Sequence, residues 1–299
     1  MIDDTLADAR SDPLVTRLRV QVAEFVAREP DARAGAPDGV HRMRVATRRI
    51  RSCLGSFRPA FAAQSVRHLR RELKWIGDLL GADRDAEVIL DRIERDIGEL
   101  ASADPSEGLP ADAEVWRSGE PGETHDALLA AFDSSRFGAL VDELAAFAAG
   151  PVLARRPRGE KWRVGRLVRE IRQVESLVAE ADRCTLSVRD GVLHEVRKAA
   201  KQARYAAETL VSEFGGRATR VADAFESIQT VLGEHHDAIV TRQVLESESA
   251  RVRTMYQASG VDPGVLIARE VERANQAEAA FVKEWAHVRR LVRKHWPKI

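Results

Sequence analysis

The chain has 299 residues, and its 47 Lys plus Arg balance 47 Asp plus Glu, which excludes a uniformly basic nucleic-acid coat but not local patches. Hydrophobic residues make up 44%, charged ones 31% and aromatics only 5%, favouring a helical protein over a sandwich or barrel. Seven basic residues are Lys and 40 are Arg, the better bidentate binder of phosphate.

The opening stretch MIDDTLADARSDPLV is acidic and has no apolar core, so no signal peptide is expected. Residues 14–28 then place Leu14, Leu18, Val22, Phe25 and Val26 on one helical stripe. Residues 29–39, EPDARAGAPDG, read as a breaker. A helix over 40–62 carries Met43, Ala46, Ile50, Leu54 and Phe57 at spacings of three and four. Residues 65–80 repeat the pattern with Val66, Leu69, Leu73, Ile76 and Leu80, and Gly81 reads as a C-cap. Asp83 or Asp85 reads as the cap of a further helix to about residue 100.

Residues 96–124 hold eight acids against Arg117 alone, with Pro105, Pro110 and Pro121, and read as a solvated acidic insertion. Helical pattern resumes over 125–149 and stops at Gly150-Pro151. A basic stretch at 154–163 opens a second set of helices, at about 162–182, 190–213, 217–233, 236–258 and 263–295. Cys53 and Cys184 form no CxxC, fall in helical stretches and point to a reducing compartment. With no apolar run long enough to span a bilayer, the expected protein is soluble and cytoplasmic.

The second set repeats the first. HRMRVATRRIR (41–51) lies over HEVRKAAKQAR (194–204) at an offset of 153, and LKWIGDLLGADRDA (73–86) over FESIQTVLGEHHDA (225–238) at 152. Two motifs in one order at nearly one offset indicate an internal duplication. The expected architecture is therefore all-α, with residues 1–155 and 156–299 as two four-helix-bundle-like repeats related by a pseudo-two-fold axis.

His41, Arg44, Arg48 and Arg51 are spaced 0, 3, 7 and 10, an arc of roughly 80° rising about 15 Å, nearly opposite the apolar stripe. His194, Arg197, Lys201 and Arg204 form the matching row. Solvated helix faces usually mix signs, because like charges at i,i+4 destabilise. Residues 41–51 instead carry five Arg and no acid, and 194–204 carry four bases against Glu195. Two such rows at matched positions point to an anion, and their length suits a linear polyanion.

Nucleotide hydrolysis lacks its usual glycine-rich loops. Nucleic acid is disfavoured by scarce aromatics, with only Tyr205 in either motif. A polymer of phosphate without bases, inorganic polyphosphate, asks only for Arg, Lys and His donors. Metal binding lacks HxxxH and HExxH, and His235-His236-Asp237 point apart on a helix, so His41 and His194 read as phosphate donors or caps of their own helices. Cys53 reads as core, and no catalytic constellation or cofactor is expected.

These segments, HRMRVATRRIRSCLGSF with LKWIGDLLGADRDAEVI and LHEVRKAAKQARYAAETL with IQTVLGEHHDAIV, resemble the CHAD (conserved-histidine α-helical domain) family over about residues 10–295. The resemblance implies two four-helix bundles around a basic groove or pore, binding of inorganic polyphosphate, and association with polyphosphate granules. It places binding residues at His41, Arg44, Arg48, Arg49, Arg51, Lys74, His194, Arg197, Lys198, Lys201 and Arg204. Glu226 departs from that pattern, standing where the first repeat has Lys74. Members are often fused to a CYTH triphosphatase, so the alternatives to a non-catalytic binder are an accessory domain of a phosphate-chain enzyme and a nucleic-acid-binding helical protein.

Overall fold

The computed structural model describes residues 12–103, 122–150, 159–247 and 260–296, and among these it is all-helical with no β-strand. The first half supplies α1 (Pro13–Ala27), α2 (Glu29–Arg33), α3 (Pro37–Ser56), α4 (Ala63–Ala103), α5 (Gly122–Phe132) and α6 (Ser135–Ala149). The second supplies α7 (Glu160–Ala181), α8 (Leu186–Thr209), α9 (Val211–Phe214), α10 (Gly216–Glu246) and α11 (Pro263–His295).

Local chemistry sets the starts. Pro13, Pro37 and Pro263 stand in the first turn of α1, α3 and α11, where a missing N–H leaves nothing unsatisfied. Asp12 and Asp262 cap α1 and α11, accepting from Leu14 N and Gly264 N at 2.8 Å each. Ser134 caps α6 by accepting from Phe137 N at 3.2 Å, and so divides the expected helix 125–149 into α5 and α6. At the start of α10, Gly215 has φ +53°, a conformation that favours glycine.

Most of the expected stripes are buried. Leu14, Leu18, Val22 and Phe25 on α1, Met43, Ala46, Ile50 and Leu54 on α3 with Phe57 just beyond its end, and Val66, Leu69, Leu73, Ile76 and Leu80 on α4 all lie in one core. Val26 does not; it is exposed on the far side of α1. Within the first half α3 packs on α1 and α4, and α6 on α1; within the second, α8 packs on α7 and α10, and α10 on α11. The halves meet where α3 packs on α8 and α4 on α10 and α11, so the core runs through both. A satellite cluster of Ile93, Ile97, Leu245 and Leu266 continues it along the far part of α4.

Several expected boundaries move. Residues 29–39 hold a short helix, α2, and the 3-10 turn Arg58–Ala60 closes off the expected helix 40–62. Cys184 sits in the connection between α7 and α8 and not in a helix. Neither Gly81 nor Gly233 ends a helix: α4 runs through the first and α10 through the second, both glycines being buried. A mid-helix glycine costs only about 1 kcal/mol against alanine, and the packing of Ile76, Leu80, Ile228 and Leu232 exceeds that.

The expected solvated loop at 96–124 does not begin where composition places it. Asp96 and Glu99 lie on α4, and Asp96 is buried against Arg273, which donates to it at 2.5 and 2.6 Å. Opposite charges on α11 thus convert the first acid of that stretch into a packing group, while Glu99 stays exposed as a partner of Arg269. Residues 104–121 and 248–258 lie outside the described residues.

Candidate functional site

α3 packs against α8, and Ile50 on the first and Ala200, Ala203 and Ala207 on the second are fully buried. Ser52 on α3 donates to Gln202 Oε1 on α8 at 2.6 Å, which pins the crossing. Cys53, beside it, is core, and burial pushes its thiol up to about 12, so it is no nucleophile at neutral pH.

This crossing brings the two cation rows together. Lys201 on α8 is pushed down to about 8, first by burial, then by Arg197, Arg48, Arg44 and Arg204. Two of these cations come from its own helix and two from the facing one. Lys201 makes no hydrogen bond or ion pair among the described residues. The strongest charges around a mostly buried ammonium are therefore all positive. Such a group is held at an electrostatic cost that an anion would relieve.

The buried glycines serve this cluster. A Cβ on Gly81 would stand 3.3 Å from Arg44 Cζ and 3.4 Å from its Nη2. On Gly233 it would stand 3.6 Å from both Nε and Nη2 of Arg197. Each guanidinium thus lies across a bare turn of the neighbouring long helix, at positions the sequence motifs match. Arg51 lies near Gly77 in the same way, with Nη1 3.8 Å from where that Cβ would stand. The Nε atoms of Arg51 and Arg197 and the Nδ1 of His194 are buried without a hydrogen-bond partner among the described residues.

Neither histidine of the rows caps its helix, since the capping positions are Ala36 and Thr185. His41 is half-buried on α3. His194 stacks obliquely on His236, ring centroids 4.3 Å apart, and lies below its ordinary pKa through burial, then Lys198, with Glu195 opposing. His235 points elsewhere, buried with Nε2 3.5 Å from Asp190 Oδ1. Among the described residues no three His, Cys, Asp or Glu side chains gather as a metal site would require.

A family model for the CHAD domain matches residues 16–246. This chain belongs to the CHAD domain family. It is 31% identical over 287 residues to the uncharacterized protein Rv2226 of Mycobacterium tuberculosis strain H37Rv, covering 91% of this chain and 53% of that protein. It is 30% identical over the same length to the uncharacterized protein MT2285 of strain CDC 1551. The chain spans about half the length of these curated relatives. Among solved structures, PptA from Streptomyces chartreusis superposes with a TM-score of 0.72 at 21% identity, over 92% of this chain and 98% of its own. The CHAD domain of the plant Ricinus communis gives 0.61 at 21%, over 92% and 91%. At this identity the two structures show a shared helical fold.

In this CHAD domain the remaining basic positions are held by carboxylates. Glu208 on α8 collects three arginines: Arg17 donates to it at 2.5 Å, Arg204 at 2.9 Å, and Arg49 Nε lies 3.2 Å away as an ion pair. Arg204 also meets Glu226 at 3.0 Å. Lys198 pairs with Glu195 at 2.8 Å and Lys74 with Asp78 at 2.5 Å, both lysines being exposed. Of the eleven residues, Arg44, Arg48, Arg197 and Arg204 act on Lys201, Arg204 while also ion-paired, and Arg49, Lys198 and Lys74 meet carboxylates. Sequence reasoning missed Glu208, although its i,i+4 spacing from Arg204 was a readable signal. Arg70, with Nη2 3.5 Å from where a Cβ on Gly55 would stand, had no motif to mark it.

Proposed function

We propose that this CHAD domain binds inorganic polyphosphate along the cation cluster where α3 and α8 cross, and performs no chemistry there itself. The two halves act as diverged copies, residues 1–155 and 156–299, that together line one groove. The observation that carries this reading is Lys201, a mostly buried amine surrounded by Arg44 and Arg48 from α3 and Arg197 and Arg204 from α8. A linear polymer of phosphates supplies repeated negative charge without bases, and this cluster offers repeated donors without stacking platforms. The cellular setting that follows is the cytoplasm, at polyphosphate granules. Among the described residues no helix is long and apolar enough to cross a membrane. Rv2226 is nearly twice the matched length, so chemistry on phosphate chains belongs to a joined domain of the CYTH triphosphatase type, if the whole protein carries one.

The test is a side-by-side titration of long-chain polyphosphate, single-stranded DNA and RNA at two salt concentrations. Tighter binding of polyphosphate at both supports the reading; preference for either nucleic acid overturns it. Arg44→Glu with Arg48→Glu should lower polyphosphate affinity by at least an order of magnitude, each charge-assisted hydrogen bond being worth about 1.5–3 kcal/mol. The melting temperature should hold or rise as repulsion with Lys201 is relieved. An unfolded double variant would make the row structural.

A further inference from the structure

The surroundings of Arg51 and Arg204, the matched last cations of the two rows, differ in charge. Beyond Arg51, α4 carries Arg67, Arg70 and Lys74, spaced 0, 3 and 7, an arc of about 60° rising about 10 Å along the helix. The Arg70 guanidinium lies against α3 at Gly55, whose missing side chain leaves it room. Arg51 is close enough to Arg70 and Asp78 for both to act on it, and Asp78 also holds Lys74 at 2.5 Å. Arg67 and Arg70 are exposed and make no ion pair or hydrogen bond among the described residues.

At matched positions the second half has the opposite character. Arg51 corresponds to Arg204 and Gly55 to Glu208 at an offset of 153, while Arg67, Arg70 and Lys74 correspond to Thr219, Ala222 and Glu226 at 152. Glu208 fills the place that glycine leaves open and turns its oxygens on Arg17, Arg49 and Arg204. Glu226 is half-exposed, so a carboxylate faces any chain that leaves past Arg204. One set thus holds Arg51, Arg67, Arg70 and Lys74 against Asp78. The other holds Arg204 and its two partner arginines, already engaged, with Glu226 beyond them.

We propose that a bound polyanion leaves the central cluster on one side only, along a subsite formed by Arg67, Arg70 and Lys74 beside Arg51, and is turned away at the other by Glu226. This rests on the polyphosphate reading above and adds a direction and a length dependence to it. Short oligophosphates fill the central cluster alone; long chains also engage the α4 subsite. Glu226 sets specificity by repulsion and touches no ligand.

The experiment compares long-chain polyphosphate with tripolyphosphate on wild type, on Arg67→Ala with Arg70→Ala, and on Glu226→Gln, with the melting temperature of each recorded. The double variant should bind long chains at least tenfold more weakly and tripolyphosphate within about twofold of wild type, since two phosphate contacts are lost from long chains alone. Its slope of log affinity against log salt for long chains should become shallower by about two units. Glu226→Gln should tighten long chains severalfold and leave tripolyphosphate unchanged. Equal losses for both probes, or unchanged long-chain binding in either variant, overturns the one-sided path. A wild-type protein that binds neither polyphosphate overturns the underlying function instead.

Discussion

Lys201 gathers the physical consequences of the cluster into one titratable group. Its ammonium is disfavoured by burial and by Arg197, Arg48, Arg44 and Arg204, which places its value at about 8 in the free protein. A bound polyanion favours the charged form and raises that value. Below about pH 8 the lysine is protonated in both states and affinity is full; above it, binding must take up a proton. Polyphosphate affinity should therefore fall as pH rises from 8 toward 10, by up to about tenfold per unit until the bound-state value is reached. Proton uptake in calorimetry at pH 8.5 checks the sign, and Lys201→Arg should flatten the dependence. Folding shows the complementary effect. A cation with a depressed folded value opposes folding at neutral pH and is relieved as pH rises through about 8, so Lys201→Met should melt higher than wild type at pH 7 while binding polyphosphate more weakly. A lower melting temperature in that variant would show that the ammonium is not under repulsion.

At the scale of the helix, the sequence was readable where physical period carries the information and unreadable where a partner element does. The stripes Met43 to Leu54 and Val66 to Leu80 announced their buried faces, because burial on one side leaves a 3.6-residue period. The rows opposite them were legible for the same reason. Which cations stay available was not fully legible, since Glu226 meets Arg204 from another helix and Arg17 and Arg49 reach Glu208 from two others. The glycines misled because a glycine late in a periodic stretch resembles a stop, whereas Gly81 and Gly233 are flat turns under Arg44 and Arg197. Alanine tests this. In Gly81→Ala the new methyl meets Arg44 at 3.3 Å and must displace its guanidinium, while the helix gains about 0.5–1 kcal/mol from lower backbone entropy. The variant should melt higher and bind polyphosphate more weakly. Gly233→Ala meets Arg197 only at 3.6 Å, an ordinary contact, so it should gain similar stability with little loss of binding. Equal binding losses in both would remove the distinction between the two seats.

Across the whole molecule, the far part of α4 is tied to the second half by charge as well as by apolar contact. Among the described residues, Ile93, Ile97, Leu245 and Leu266 are buried there, with Ile89, Leu100, Val244, Val261 and Ile267 packed against them. Beside them Arg92 donates to Glu270 at 2.7 and 2.9 Å and to Glu234 at 2.6 Å, while Arg273 joins Asp96 to Glu270 and Arg269 joins Asp96 to Glu99. Burial alone would raise the Asp96 carboxyl, but Arg273, Arg269 and Arg92 outweigh it and hold it below the usual carboxylate range. A depressed carboxylate stabilises above its unfolded value and loses that contribution as pH falls through the folded one, so this tie is intact at neutral pH and weakens only below about pH 4. Arg92→Ala breaks it at any pH, because Glu270 is 1% exposed and keeps only Arg273. Removing one partner of a buried pair destabilises by about 3–5 kcal/mol. That loss should be local, since the main core beneath α3 and α8 is a separate cluster. Hydrogen exchange should quicken over residues 89–100 and 263–273 while amides of α3 and α8 keep their protection, and polyphosphate affinity should stay within about twofold of wild type. Protection lost uniformly through all helices would instead make the molecule one cooperative unit, with the charged tie as part of its single core.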